Sequence, residues 1–143
     1  AGAAILQAGG AGVFSDNSAL AHGRQLWLEM ADDGGGDALS FAFVSIVSGE
    51  SETWTMGMHV LGFPEIVMSR SEIDPDAETV VEVVRYICSN EKPFGDGHII
   101  ADESGPRYQA AAAPADTQFA GTPMHNPFGR LRLSSFREIG ESL

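Results

Sequence analysis

The chain has 143 residues, a formal net charge of −12, 43% hydrophobic and 20% charged residues. That length is one domain's worth, long enough for a core without staples, and the composition argues against wholesale disorder. An acidic surface repels phosphate backbones, so neither nucleic acid nor an anionic membrane is expected as a partner.

Ala3 to Ala8 are good helix formers, stopped by Gly9-Gly10, and Val13-Phe14 reads as a very short extended piece. Ser15, Asp16 and Asn17 are candidate N-caps for an amphipathic helix through Ala19, Leu20, Gly23, Leu26, Trp27 and Met30, ending near Ala31. Asp32 to Asp37 reads as a glycine-rich loop. Ala38 to Ser48, with Phe41, Phe43, Val44, Ile46 and Val47, has the aromatic and β-branched content of a strand. Gly49 to Glu52 is a turn, and Thr53 to Val60 alternates as a second strand. Its Trp54, Met56, Met58 and Val60 side is expected to pack on helices, with Thr53, Thr55, Gly57 and His59 on the other side.

Leu61 to Pro64 breaks that strand, and Glu65 to Arg70 resumes an extended run. Asp74-Pro75 is a strong helix start, followed by a stripe of Ala77, Val80, Val81, Val84, Ile87 and Cys88 down to Ser89. His98 to Ala101 and Arg107 to Ala113 read as two strands joined by a turn, and residues 114–129 as a long surface loop. Gly129 to Ser134 alternates Arg130 and Arg132 against Leu131 and Leu133, a half-buried strand expected to be last in the sheet. The sum is an α+β fold: a mostly antiparallel sheet of five or six strands packed against two or three helices.

One cysteine, Cys88, permits no disulfide within the chain and no cysteine-based zinc site, so a reducing, cytoplasmic compartment is expected. No apolar run reaches the ~20 residues of a membrane span. The start lacks a signal-peptide pattern and an initiator Met, so 1–143 reads as a single domain forming the C-terminal part of a longer chain.

The stretch Glu52-Thr-Trp-Thr-Met-Gly-Met-His-Val-Leu-Gly-Phe-Pro-Glu-Ile66 resembles the bacterial family known as domain of unknown function 4262, over roughly residues 37–105. Trp54, Thr55, Gly57 and Met58 fit its aromatic-Thr-x-Gly-Leu strand. Gly62, Pro64, Glu65 and Ile66 fit the turn that follows, and Phe63 stands where that pattern has a His. The resemblance implies a fold region and a bacterial origin. It carries no activity and no catalytic residues.

From the residues themselves, His59 and Glu65 are the sharpest candidates, since they bracket the Leu61–Pro64 break and a tight turn brings imidazole and carboxylate together as a base and its orienter. The competing structural role has Glu65 accepting backbone N–H groups where the strand breaks. Asp96 and His98 share a Gly-flanked loop, either a substrate approach or an ordinary turn. His22, His59, His98 and Glu65 lack metal-ligand spacing, no cofactor motif is present, and Cys88 falls on an apolar stripe. Arg130, Arg132 and Arg137 form a basic cluster with Arg107 nearby, suited to an acidic partner or carboxylate ligand, or to neutralising the protein's own surface. The leading expectation is a non-catalytic module binding another protein or an upstream domain of its own chain, with self-association possible. The alternative is a ligand-binding or hydrolase-like protein using His59, Glu65 and His98.

Overall fold

A computed structural model describes residues 1–72, 78–90 and 93–141. Its elements are α1 (Gly2–Gln7), β1 (Gly12–Ser15), β2 (Leu20–Gly23), α2 (Arg24–Asp33), α3 (Gly36–Phe43), β3 (Ser45–Ser48), β4 (Glu52–Met56), β5 (Glu65–Ser69), α4 (Glu78–Ser89), β6 (Ile99–Asp102), β7 (Gly105–Ala113), β8 (Arg130–Ser135) and α5 (Phe136–Glu141). β1 and β2 make a separate hairpin, and the other six strands form one sheet ordered β3-β4-β5-β8-β7-β6. The α+β class is as expected. The large sheet is mixed, because β5 and β8 run parallel while its other neighbours are antiparallel.

Helix α4 explains where the core sits. Val80, Val83, Val84 and Ile87 recur at helical spacing and are all buried, joined by Ile66 and Met68 of β5, Leu131 and Leu133 of β8, Ala110 of β7 and Ile100 of β6. Each of the Val, Leu, Ile and Met side chains contributes about 1.5–3 kcal/mol by leaving water. The helix start expected at Asp74-Pro75 lies outside the described residues.

Four expectations are corrected. The extended piece at Val13-Phe14 is strand β1, but residues 20–23 pair with it as β2 instead of forming the first half of a helix. Asp16 and Asn17 serve as turn residues, Ala19 takes a left-handed φ of 55°, and the helix begins only after Gly23. Residues 36–43 are helix α3, not strand. Ala38, Leu39 and Ala42 are helix formers, Asp37 sits in the first turn, and Phe43 packs edge-on against Trp27 of α2 at 5.6 Å. Of the two aromatic residues that suggested a strand, Phe43 packs between helices and Phe41 stays largely exposed.

In β4 the faces are reversed. Thr53 pairs with the core residue Met68, so the threonine side faces α4, while Trp54 pairs with Val67 on the opposite face and stays half-buried. Met58 nonetheless enters the core, because the backbone turns at Gly57 (φ 104°) into the short 3-10 helix Met58–Leu61 and breaks the alternation. Finally, β8 is not an outer strand. It lies between β5 and β7, with Leu131 and Leu133 buried beneath α4. No helix among the described residues is long and apolar enough to cross a membrane.

Candidate functional site

The β4–β5 pairing stops at Trp54–Val67, and the two strands separate where Gly57 turns away. Glu65 fills the gap. The Thr55 hydroxyl donates to Glu65 Oε2 at 2.7 Å and accepts from the Ile66 amide at 2.9 Å, replacing the missing ladder bonds. Glu65 Oε1 accepts from the amides of Gly57 (3.0 Å) and Met58 (3.1 Å) and from Asn126 Nδ2 (3.0 Å). The same Asn126 amide donates to the Phe63 carbonyl at 2.9 Å, tying the 114–129 loop to the sheet. Four donors thus converge on one buried carboxylate.

His59 is brought to Glu65, with Nδ1 at 3.5 Å from Oε1. Its other nitrogen, Nε2, lies 2.9 Å from the Pro123 carbonyl and 3.2 Å from Asn17 Nδ2 in the β1–β2 turn. Only 11% of the His59 side chain and 9% of that of Glu65 is exposed. Both ring nitrogens are therefore faced by fixed protein partners, and what the arrangement does chemically is hold together hairpin, 3-10 turn, strand and loop. Sequence reasoning found His59 and Glu65 but missed Asn17, Thr55 and Asn126. Asn17 and Asn126 reach the site across separations of 42 and 61 residues. An Asn before Pro127 signals a turn and nothing more distant.

His98 stands elsewhere. It precedes β6, three strand steps from β5, about 14 Å across the sheet. Its ring packs on Phe94 at 4.7 Å, with the Tyr86 hydroxyl 3.5 Å from Nε2. Asp96 is exposed and accepts the Ala112 amide at 2.9 Å, extending the β7 edge. His22 is buried on β2 and its Nε2 lies 2.9 Å from the Ala42 carbonyl. Among the described residues no three His, Cys, Asp or Glu side chains are grouped to hold a metal.

Arg130 and Arg132 share the sheet face opposite α4. Arg130 Nε donates to the Pro114 carbonyl at 2.8 Å, and Arg132 pairs with Glu52 across the sheet. Arg107 pairs with Asp102 at 3.5 Å. Arg137 lies on α5, beyond the far end of β8 from Arg130.

Cys88 lies on α4, where burial first and the negative charge of Asp37 second push its thiol up from 9.0 to about 11. At pH 8 the thiolate fraction falls about a hundredfold, while the greater nucleophilicity of the more basic sulfur returns roughly tenfold. Iodoacetamide should therefore alkylate the folded chain about tenfold more slowly than the urea-unfolded chain, or slower still through restricted access. Equal rates, measured by mass spectrometry, would contradict this environment. Because the unfolded thiol ionises first, this group favours folding fully below pH 9, and its contribution fades as pH rises towards 11.

A second feature lies at the sheet's other edge. Leu20, Phe41, Val44, Ile46, Val81 and Val84 line a groove of about 280 Å³ between the hairpin, α3, β3 and α4, with Arg85 at its rim. Phe41 is 57% exposed beside it. Among the described residues, β3 pairs only with β4. The Gly49 amide donates to Glu52 O at 2.8 Å, marking a bonded pair. The antiparallel alternation then makes Val47 and Ser45 the next bonded residues and directs the backbone groups of Ile46 and Ser48 outward.

Fold and sites together define an α+β domain with a mixed six-stranded sheet, pinned at one end by a buried carboxylate and bordered at one edge by an apolar groove. Residues 54–117 match the family model described as Domain of unknown function (DUF4261). The chain is therefore similar to family 4261, where its Trp54–Ile66 motif had suggested 4262, and the similar stretch runs from β4 through β7 into the following loop. No curated protein and no solved structure matches the chain.

Proposed function

We propose that this domain is a non-catalytic interaction module whose docking surface is the groove between β3, α3 and α4. The observation that carries the proposal is the coincidence of an apolar groove, an exposed aromatic ring at Phe41 and an unpaired strand edge at one place on the surface. Apolar side chains cost little when scattered singly, but clustered around a concavity with open backbone groups they suit a partner. The acid–base candidates favour the same conclusion. Glu65 is held by four donors and both ring nitrogens of His59 meet protein partners, while His98 sits across the sheet from them.

Selection from a displayed library mixing short random peptides with folded miniature scaffolds tests this. A convergent family of ligands that binds the wild-type chain and is lost on the Phe41→Asp variant is expected. No convergence, or ligands indifferent to Phe41→Asp, would overturn the proposal.

A further inference from the structure

We infer that the occupant of the groove is a basic, extended peptide segment that pairs with the outer edge of β3. This rests on the interaction-module proposal and adds the partner's backbone conformation and charge.

The conformation follows from the edge. Ile46 and Ser48 direct their N–H and C=O groups away from β4, and a strand laid alongside satisfies them with main-chain hydrogen bonds. Ile46 also lines the groove, so the open backbone and the apolar concavity are adjacent along the same strand. Alternate side chains of an added strand point to one face. Those on the α4 side meet Phe41, Val44, Val81 and Val84, in a space suited to an aliphatic side chain.

The charge follows from what surrounds the groove. Arg85 at the rim faces Asp37 at 3.5 Å, which offsets part of its positive charge. Glu78 is exposed on the same helix one turn before Val81, Asp37 stands beside Arg85, and the whole chain carries −12. A second copy brings the same −12 and is repelled, whereas a segment with Lys or Arg between its aliphatic residues is attracted. The pattern expected of the partner is thus aliphatic residues alternating with basic ones.

The test uses the full chain and the ligands of that mixed selection, followed by fluorescence anisotropy of the selected peptides. Enriched peptides should alternate aliphatic with Lys or Arg residues and weaken as salt is raised. They should bind the Ser48→Pro variant at least about tenfold more weakly, because proline removes an outward amide and leaves the β4 ladder intact. A thermal melt checks that this variant folds. Selected peptides carrying N-methyl groups on alternate backbone nitrogens probe the same bonds from the ligand side, and should also lose binding. If the ligands are acidic or neutral, or are folded scaffolds, or ignore both backbone changes while still depending on Phe41, the basic-strand inference fails and the interaction module survives. If no ligand depends on the groove, both fail.

Discussion

Replacing Glu65 by alanine is expected to destabilise the fold by about 3–5 kcal/mol, the cost of removing one side of a buried charged network. The carboxylate is the common acceptor for the Thr55 hydroxyl, the Gly57 and Met58 amides and the Asn126 side chain. Alanine leaves these donors facing a void, and each buried unsatisfied group costs about 1–3 kcal/mol. Some of that is recovered if water enters, which keeps the total below the sum. In a domain of this size the loss corresponds to a fall in Tm of roughly 3 °C for each kcal/mol. Glu65→Gln should fall between wild type and alanine. Its oxygen can occupy the Oε1 position and keep three amide donors, but its NH2 then replaces the oxygen to which the Thr55 hydroxyl donates. Thermal and urea denaturation of the three proteins decide the matter. An alanine variant within about 1 kcal/mol of wild type would show that the network is not held as described.

The same residue shows how far the sequence could be read. A glutamate directly after a proline, at a break in an alternating strand, signals exposed amides in need of an acceptor, so Glu65 and its neighbour His59 were legible. The rest of the network was not, because its members meet only once the 114–129 loop and the β1–β2 turn fold onto the sheet. Helix α4 was legible over Val80 to Ser89 because its valines carry a strong helical period. Helix α3 was not, since Phe41 and Phe43 favour strands locally and are used here beside other helices. The reversed face of β4 has a different cause. Alternation gives two faces without naming the buried one, and the larger side chains mislead here because Trp54 and Met56 lie under the loop bearing Phe119 and Met124, opposite α4. The groove was invisible for a related reason: its walls come from four elements, two of which, the hairpin and α3, were read as the wrong structure.

Gly57→Ala is the other substitution expected to be severe, at roughly 4 kcal/mol or more. Two effects combine. The backbone there holds φ at 104°, outside the range a side chain tolerates comfortably, which costs about 1–2 kcal/mol. An added Cβ would also stand 2.0 Å from the Phe43 carbonyl oxygen and 2.7 Å from Ser18 Cβ. The first of these contacts is backbone, at the end of α3, so relief requires moving the helix that packs against α4. Movement there also displaces the Gly57 amide from Glu65, so strain and a lost hydrogen bond arrive together. Gly62 separates these effects. Its φ is 87°, yet nothing lies within 4 Å of a Cβ built on it, so Gly62→Ala should cost only the conformational part, about 1 kcal/mol. Denaturation midpoints for the two variants should therefore differ widely, with Gly57→Ala lower. Near-equal midpoints would mean that positive φ alone governs both positions and that the close approach of α3 to the β4 turn is not a fixed feature of the fold.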